Sequence, residues 1–490
     1  MSLSVANTLE QANQLLMAGQ RASAAGLYRQ ALAAEPGNAD ALHGLGIVAW
    51  QEGRLDEARS CLNQAVALRL DNAGYWSILG DIERMAGDFA AAENCLRRAL
   101  ALQPDSSQAL NNMGMVYLAQ GRHTEAATLF MGAVQSDPDL AMAHYNLGIA
   151  LRELNYLDDA IAAYRQAIAL NPDFVEAHVN LAIALLLDGQ LEEGFEEYEW
   201  RLKPPFASLP SPVAPLWGGL IDPDGTLLLY TEQGFGDIIQ FIRYIPFIAR
   251  EGMRVVVRCP AALENLLQGV EGVASTSRDD EALPPHTAQL PLLSLPRLFE
   301  TRIDRVPGNL PCIQVPFGRS RVWRERLAGM GETIKVGLRW AGNPANTEDR
   351  RRSIPLSCFA GLAGTEQVTF ISLDNVPVRE ADVDAARRIG LMDLSPELTG
   401  FVETAALIAN LDLVIAVDTA VLHLAGALGR PAWALLRHSP HWPWLLDRDD
   451  SPWYPSLRLF RQERAGDWQP VVDRVVATLR GAMCEAIQES

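Results

Sequence analysis

A period of 34 residues runs through the first 206 residues of this 490-residue chain. Proline, once replaced by leucine, recurs at Pro36, Leu70, Pro104, Pro138 and Pro172. A small residue recurs at Gly46, Gly80, Gly114, Gly148 and Ala182. Two further columns read Gly19, Gly53, Gly87, Gly121, Asn155 and Gly189, and Ala24, Ala58, Ala92, Ala126, Ala160 and Gly194. Four columns in one register indicate a stack of identical structural units.

Each unit is predicted to be a pair of antiparallel helices. Small residues at fixed offsets let two helices approach closely, and the Gly/Asn column ends the first helix of each pair. The period and the columns resemble the tetratricopeptide repeat, with about six units over residues 1–206. Such an array forms a superhelix with a concave inner face, and it offers a surface for oligomerisation as well as for partners.

Asparagine occupies one position of the inner helix in three successive units, at Asn112, Asn146 and Asn180. An amide side chain both donates and accepts hydrogen bonds, so it can pair with a polypeptide backbone of any sequence. We expect these side chains to face solvent and form an acceptor groove. The alternative is that they bridge adjacent repeats. A similar asparagine ladder lines the groove of O-GlcNAc transferase, and this resemblance favours the groove.

Charge and composition exclude several classes of function. The net charge of −19 argues against a nucleic-acid partner. Residues 1–206 hold 13 Lys and Arg against 26 Asp and Glu, a net charge of −13. The sequence contains no run of about 18 apolar residues, so no membrane-spanning helix is predicted. The N-terminus lacks the pattern of a signal peptide, and the six cysteines contain no C-x-x-C pair. We therefore expect a cytoplasmic protein.

After the repeats, a proline-rich linker is predicted at residues 207–225, followed by two α/β series at 226–332 and 333–490. Short β-rich runs alternate with helical segments in both series. Examples are "TLLLY" (226–230) and "LDLVIAV" (411–417). Two doubly wound sheets with a cleft between them follow from this pattern, and ligands in such folds bind at the carboxyl ends of the strands.

The stretch "LLYTEQGFGDIIQFIRYI" (228–245) turns from a strand into a helix at a glycine-spaced corner. It is not a dinucleotide fingerprint, because Ile239 stands where the third glycine of G-x-G-x-x-G belongs. The corner places Asp237 at the start of the helix, facing the cleft, where a carboxylate can act as a general base. The alternative role of Asp237 is to cap the helix.

A second corner lies in "LDLVIAVDTAVLHLAGALGRPAW" (411–433), where Asp418 and Thr419 open a helix that carries His423 one turn later. A helix N-terminus offers free N–H groups to a diphosphate. We expect Thr419 and the backbone to contact the anion, and Asp418 either to cap the helix or to accept a sugar or ribose hydroxyl.

Together the two corners resemble the ADP-heptose:lipopolysaccharide heptosyltransferase superfamily, which has a GT-B fold. The resemblance covers roughly residues 226–480. It implies that Asp237 is the base and that Asp418, Thr419 and His423 approach a nucleotide sugar. The family usually has glycine after the Asp-Thr pair, where this chain has Ala420.

Further donor-binding candidates lie in "LRWAGNPANTEDRRRSIPL" (338–356). Arg339 ends a strand and is expected to point into the cleft, where its guanidinium fork matches a diphosphate. Asn343 and Arg351 follow in a polar loop, whose alternative role is that of a solvated surface. No metal or other cofactor is expected, because no D-x-D motif follows a strand. His438 and His441 are interpreted as packing residues.

These observations predict a metal-independent glycosyltransferase with a tetratricopeptide arm. The arm would present a polypeptide acceptor, and the cleft would hold a nucleotide sugar. The architecture resembles O-GlcNAc transferase and bacterial repeat-coupled protein glycosyltransferases, such as those acting on flagellin, which implies a flagellin-like acceptor. Two alternatives remain: an enzyme acting on a glycan or lipid, with the repeats serving assembly, and a non-catalytic scaffold.

Overall fold

The computed structural model of the protein describes residues 4–206, 214–308, 310–343, 349–365 and 367–488. It divides into two compact units, Met1–Leu181 and Ala182–Ser490. The division falls within a helix of the last repeat, so the end of the predicted repeat array belongs to the second unit. The predicted boundaries at 206, 225 and 332 remain predictions.

Twelve α-helices occupy the described residues 4–206 and form the predicted antiparallel pairs. Their bounds are α1 Val5–Met17, α2 Arg21–Ala34, α3 Ala39–Gln51, α4 Leu55–Leu68, α5 Ala73–Met85, α6 Phe89–Leu102, α7 Ser107–Ala119, α8 His123–Ser136, α9 Ala141–Glu153, α10 Leu157–Leu170, α11 Val175–Asp188 and α12 Leu191–Tyr198.

The small-residue columns explain how these helices end and pack. The column that begins at Gly19 has a left-handed backbone at every member, including Asn155 at φ 62°. A left-handed residue just past a helix lets the chain turn back, which confirms the predicted stop. At Gly148 an added Cβ would lie 2.6 Å from the Tyr164 ring, so only glycine admits this close contact between α9 and α10.

The second unit contains two parallel sheets. The first has the strand order β3-β2-β1-β4 and the second β6-β5-β7-β8-β9. The strands are β1 Thr226–Tyr230, β2 Arg254–Cys259, β3 Val273–Arg278, β4 Ala288–Pro291, β5 Ile334–Arg339, β6 Val368–Ser372, β7 Leu413–Val417, β8 Ala432–Leu436 and β9 Leu457–Arg461.

Helices and short turns connect the strands. The α-helices are α13 Phe235–Phe241, α14 Ile245–Arg250, α15 Ala261–Leu267, α16 Leu295–Leu298, α17 Phe317–Ala328, α18 Asp349–Arg352, α19 Val383–Ile389, α20 Phe401–Ile408, α21 Ala420–Ala427 and α22 Gln469–Gln488. The fold is therefore a tetratricopeptide array followed by an α/β region with two parallel sheets, as predicted.

Two observations concern the segments around these sheets. Within the described part of the predicted linker, Trp217 is buried and its backbone N–H donates to the Gln289 carbonyl in β4, so this part lies against the first sheet. Residues 207–213 of the predicted linker lie outside the described residues. Among the described helices, none has both the length and the apolar character needed to cross a membrane.

Candidate functional site

The order of strands in each sheet locates two crevices. In the first sheet β1 lies between β2 and β4, and in the second β5 lies between β6 and β7. The chain continues from β1 to one side of the first sheet and later adds β4 on the other side, and it does the same around β5 with β6 and β7. A crevice therefore opens at the carboxyl ends of β1 and β4 in the first sheet, and of β5 and β7 in the second. Asp237 follows β1, Arg339 ends β5, and Asp418 follows β7. All three candidates therefore lie at the carboxyl ends of strands next to these crevices.

The first corner holds Asp237 in one orientation. After β1 the chain passes through Gln233, which has a left-handed backbone at φ 63°, and Gly234, which is the N-cap of α13. The Gly234 N–H donates to Oδ2 of the half-buried Asp237 carboxylate at 3.1 Å. This hydrogen bond gives Asp237 a capping role, although from the third position of α13 and not as the N-cap, which is Gly234. It engages Oδ2, and the proposed role as a base remains a prediction.

The second corner leaves a helix terminus without a side-chain cap. Thr419 is the N-cap of α21, but its hydroxyl donates to the Val417 carbonyl at 3.2 Å, not to the helix. Asp418 does not occupy the cap position either. The first N–H groups of α21 therefore keep their capacity to bind an anion.

The two corners contact each other inside the second unit. An ideal Cβ added to Gly236 would lie 2.8 Å from Cδ2 of His423, so α13 and α21 meet at a glycine. His423 is 3% exposed. Its Nδ1 lies 3.1 Å from the Tyr454 hydroxyl and its Nε2 3.7 Å from Oδ1 of Asp418. The helix that carries Asp237 thus lies against the helix that begins after Asp418 and Thr419.

Charged groups around this contact set the ionisation of Asp418. Burial alone would raise the pKa of its carboxyl, but His423 and the nearby His441 stabilise the ionised form and lower the pKa to about 2. Burial lowers the pKa of His441, although the carboxylates of Asp237 and Asp418 act in the opposite direction. At neutral pH the site therefore holds an ionised Asp418.

The arginine-rich loop contributes a residue that the sequence analysis did not select. Arg352 donates from Nη1 to the Asp418 carbonyl at 3.0 Å and from Nε to Oδ1 of the buried Asp349 at 3.1 Å. The selected Arg351 and Asn343 are both exposed on this loop. The sequence could not show which of the three consecutive arginines reaches Asp418, because the turn of α18 decides the direction of each side chain.

Arg339 forms an ion pair with a carboxylate of the same domain. Its Nη1 lies 2.5 Å from Oδ1 of Asp374, which follows β6, and both side chains are about nine-tenths buried. A diphosphate at this end of β5 would have to share or displace that carboxylate. The role of Arg339 in donor binding remains a prediction.

The three asparagines of the repeats connect neighbouring helix pairs. Each donates from Nδ2 to the residue 35 positions earlier: Asn112 to Ser77, Asn146 to Asn111 and Asn180 to Tyr145. The expectation that all three face solvent is wrong for Asn112 and Asn146, which are 4% and 3% exposed. Both side chains are buried against the preceding repeat, so their amides hydrogen-bond to that repeat and not to solvent. This is the bridging alternative.

The sequence analysis also missed the surroundings of the corners. His441 was interpreted as a packing residue, yet it lies within the electrostatic reach of Asp237 and Asp418. Its position in "HSPHWPW" after β8, next to a strand end, was the available signal. Among the described residues, no group of three or more His, Cys, Asp or Glu is arranged to hold a metal ion.

Comparisons with known families also divide the chain into helical repeats and a later α/β region. Models of the tetratricopeptide repeat match residues 15–82, 79–141 and 150–189. The model of glycosyltransferase family 9 (heptosyltransferase) matches residues 381–475, which include Asp418, Thr419, His423 and His441.

Individual proteins resemble parts of the chain. Protein FlbA of Caulobacter vibrioides is 29% identical over 320 residues, which cover 60% of this chain and 53% of FlbA, so the match spans about half the length of that relative. The Cut9–Hcn1 heterotetramer of the APC/C is 22% identical, with a TM-score of 0.39, over 42% of this chain and 41% of that chain.

A thermophilic tetratricopeptide protein of Thermus thermophilus is 24% identical, with a TM-score of 0.34, over 37% of this chain and 100% of that chain. The family models thus support tetratricopeptide repeats in the first part of the chain and a glycosyltransferase family 9 (heptosyltransferase) domain over residues 381–475.

Proposed function

We propose that this glycosyltransferase moves a sugar from a nucleotide-sugar donor to a hydroxyl of a polypeptide, without a metal ion. The observation that carries the proposal is the contact between the two corners, where Gly236 lies against His423. It brings a carboxylate that can accept a proton next to a helix terminus that can bind a diphosphate.

In this proposal Asp237 takes the proton of the attacking hydroxyl. A general base must be within hydrogen-bond reach of that proton and held in a fixed orientation. The Gly234 N–H fixes Oδ2, and Oδ1 of the same carboxylate then accepts the proton. The new bond forms between the acceptor oxygen and the anomeric carbon as the bond to the diphosphate breaks.

In this proposal the leaving diphosphate binds at the N-terminus of α21. Negative charge develops there during transfer, and N–H groups already oriented toward it stabilise the transition state. Arg352, whose charge is paired with Asp349, holds the turn by its bond to the Asp418 carbonyl. Asp418 is ionised at neutral pH, so its carboxylate accepts a hydrogen bond from a hydroxyl of the donor's sugar or ribose and does not contact phosphate.

The repeats would capture the polypeptide. Residues 1–206 carry a net charge of −13, which attracts a basic or neutral segment and disfavours an acidic one. Because Asn112 and Asn146 are buried between repeats, charge and the exposed side chains of the array provide this capture in our proposal. Rising salt should then weaken acceptor binding.

The test is sugar transfer by the purified full-length chain. A thermal-shift screen of UDP-, GDP-, ADP- and CMP-sugars selects the donor, since ligand at 100 times its Kd adds about 2.7 kcal/mol of stability. The selected donor, radiolabelled in the sugar, is then incubated with a bacterial lysate and with buffer alone, and Asp237→Asn serves as the control.

Label in protein, lost with Asp237→Asn, supports the proposal. Label in lipid or glycan would show an enzyme of the same fold that uses its repeats for assembly. A chain that neither transfers the sugar nor hydrolyses any donor is a scaffold, and the proposal would then be wrong.

A further inference from the structure

A buried ion network joins the end of the repeat array to the Asp237 corner, all within the second unit. Immediately after α12, the short 3₁₀ helix Glu199–Leu202 carries Arg201, whose side chain is 2% exposed. Its Nη1 donates to Oε1 of Glu199 at 2.8 Å, and its Nη2 donates to Oε1 of Glu232 at 2.6 Å. One guanidinium thus holds two carboxylates.

Ser294 completes the network from the end of β4. Its hydroxyl accepts from Nη2 of Arg201 at 3.0 Å and donates to Glu199 at 2.8 Å. The side chains of Arg201 and Glu232 are 2% and 7% exposed, so this pair is screened little by water. Removing one member of such a pair leaves a buried charge without its partner.

The position of Glu232 gives this network its significance. Glu232 directly precedes Gln233, whose left-handed backbone at φ 63° is unfavourable for a residue with a side chain. Gly234, which donates to Asp237, follows directly. The surrounding structure has to hold such a corner in place. Arg201 does so through its bond to Glu232, and Ser294 in turn holds Arg201.

We propose that Arg201 is a positioning residue: it anchors Glu232 and thereby fixes the corner that orients Asp237. The last part of the repeat array is then a component of the catalytic centre and more than a tether for the acceptor. This inference rests on the proposed function of Asp237 as the base, but the anchoring itself is a property of the fold.

The matched control is an ion pair between α12 itself and the same α/β region. Arg302 donates from Nη1 to Glu192 at 3.0 Å, with both side chains more than half exposed. Arg302→Gln therefore removes a contact of the same chemical type that does not reach the corner. Arg201→Lys keeps the charge but loses the fork that bridges the two glutamates.

The first measurement is amide hydrogen exchange of the peptide covering residues 231–238, in the full-length chain without any donor. We expect at least tenfold faster exchange there in Arg201→Gln and Glu232→Gln, a smaller increase in Arg201→Lys, and none in Arg302→Gln. Wild-type exchange rates in the folded Glu232→Gln and Arg201→Lys variants would overturn the anchoring. These two variants decide the point if Arg201→Gln does not fold.

The second measurement separates positioning from stability. Displacement of a catalytic group by about 1 Å costs on the order of 100-fold in rate, so Arg201→Gln should lower kcat roughly 10- to 100-fold with donor affinity within threefold of wild type. In the Asp237→Asn background the same change should cost nothing more. An equal further loss there would refute action through Asp237. If the wild-type chain transfers no sugar at all, the proposed function fails, and the exchange rates alone decide the anchoring.

Discussion

Gly236 offers a direct test of the contact between the two corners. In Gly236→Ala the new Cβ would lie 2.8 Å from Cδ2 of His423 and 3.2 Å from its Nε2. Non-bonded carbon atoms prefer a separation of about 3.5–4.0 Å, so one side has to move by roughly 0.7 Å or more. The methyl group therefore acts as a small wedge between α13 and α21.

The His423 ring has little freedom to retreat. Its centroid lies 5.1 Å from that of Trp444 and 5.7 Å from that of Tyr454, and its Nδ1 is hydrogen-bonded to the Tyr454 hydroxyl. Overpacking of this kind costs about 1–3 kcal/mol. Alanine recovers up to about 1 kcal/mol in helix propensity, so we expect a net loss of roughly 0.5–2 kcal/mol in the free energy of unfolding.

The effect on transfer should exceed the effect on stability. A displacement of about 1 Å between reacting groups costs on the order of 100-fold in rate, because the base and the donor no longer meet in the productive geometry. The assays are urea denaturation and single-turnover sugar transfer. Gly318→Ala is the control, since its methyl group meets nothing within 4 Å at the start of α17. Wild-type stability and turnover in Gly236→Ala would refute the close contact.

Four further outcomes follow from the described contacts. Asp237→Asn should lower turnover about 10²- to 10⁴-fold while calorimetric donor affinity stays within threefold; unchanged turnover would leave Asp237 as a cap alone. Because the folded pKa of Asp418 is depressed to about 2, the stability from its ion is present above pH 4 and lost as the pH falls through 2. Unfolding free energies should therefore show about 2 kcal/mol of acid loss that Asp418→Asn lacks, and parallel curves would contradict this. Asn112→Ala should destabilise the repeats by about 1–3 kcal/mol in chemical denaturation, since its buried partners lose their bonds; a solvent-facing side chain would give almost no change. Arg339→Ala should cost about 3–5 kcal/mol by leaving Asp374 buried and unpaired, and should weaken binding of the free nucleoside diphosphate if the site includes it; equal calorimetric affinities would remove it.

Much of the repeat architecture was predictable because its determinants are local. A residue with a left-handed backbone is usually glycine or a tolerant residue such as asparagine. Asn155 has the same left-handed backbone as the glycines of the column that begins at Gly19, so this column reflects a backbone conformation and not one residue type. The direction of the asparagine side chains was not predictable in this way. Whether Asn146 meets solvent or Asn111 depends on how closely two repeats pack, which no single repeat encodes.

The strands show the same distinction. Largely buried strands such as β1 and β7 read as apolar runs and were predicted almost to the residue. Strand β3, "VASTSR", was missed because it lies at the edge of its sheet, is only partly buried, and carries mostly polar side chains. Strand β9, at an edge of the second sheet, was missed for a related reason, since Arg458 interrupts its apolar positions and Arg461 ends it.

In the candidate site, the sequence identified the residues whose position is set by a strand end and missed those brought in by long-range pairing. Asp237 and Asp418 each follow a buried strand, so the fold class alone places them at a crevice. Arg352 reaches Asp418 across 66 residues, and Arg201 reaches Ser294 across 93. No pattern within a local window could connect such pairs.

The two roles considered for Asp237, cap and base, are compatible, and the structure gives a reason why one supports the other. A base on a flexible corner would spend most of its time away from the acceptor hydroxyl, and ordering it would cost conformational entropy at each turnover. The hydrogen bond from Gly234 orders the carboxylate before any substrate arrives, and the ion pair between Arg201 and Glu232 orders the backbone that carries this donor. Capping consumes Oδ2 and orients Oδ1. Asp237→Asn would keep an acceptor for the Gly234 N–H and lose the second carboxylate oxygen. In the proposed mechanism that second oxygen is the base, so the cap accounts for the position of this residue and the base for its being an acid.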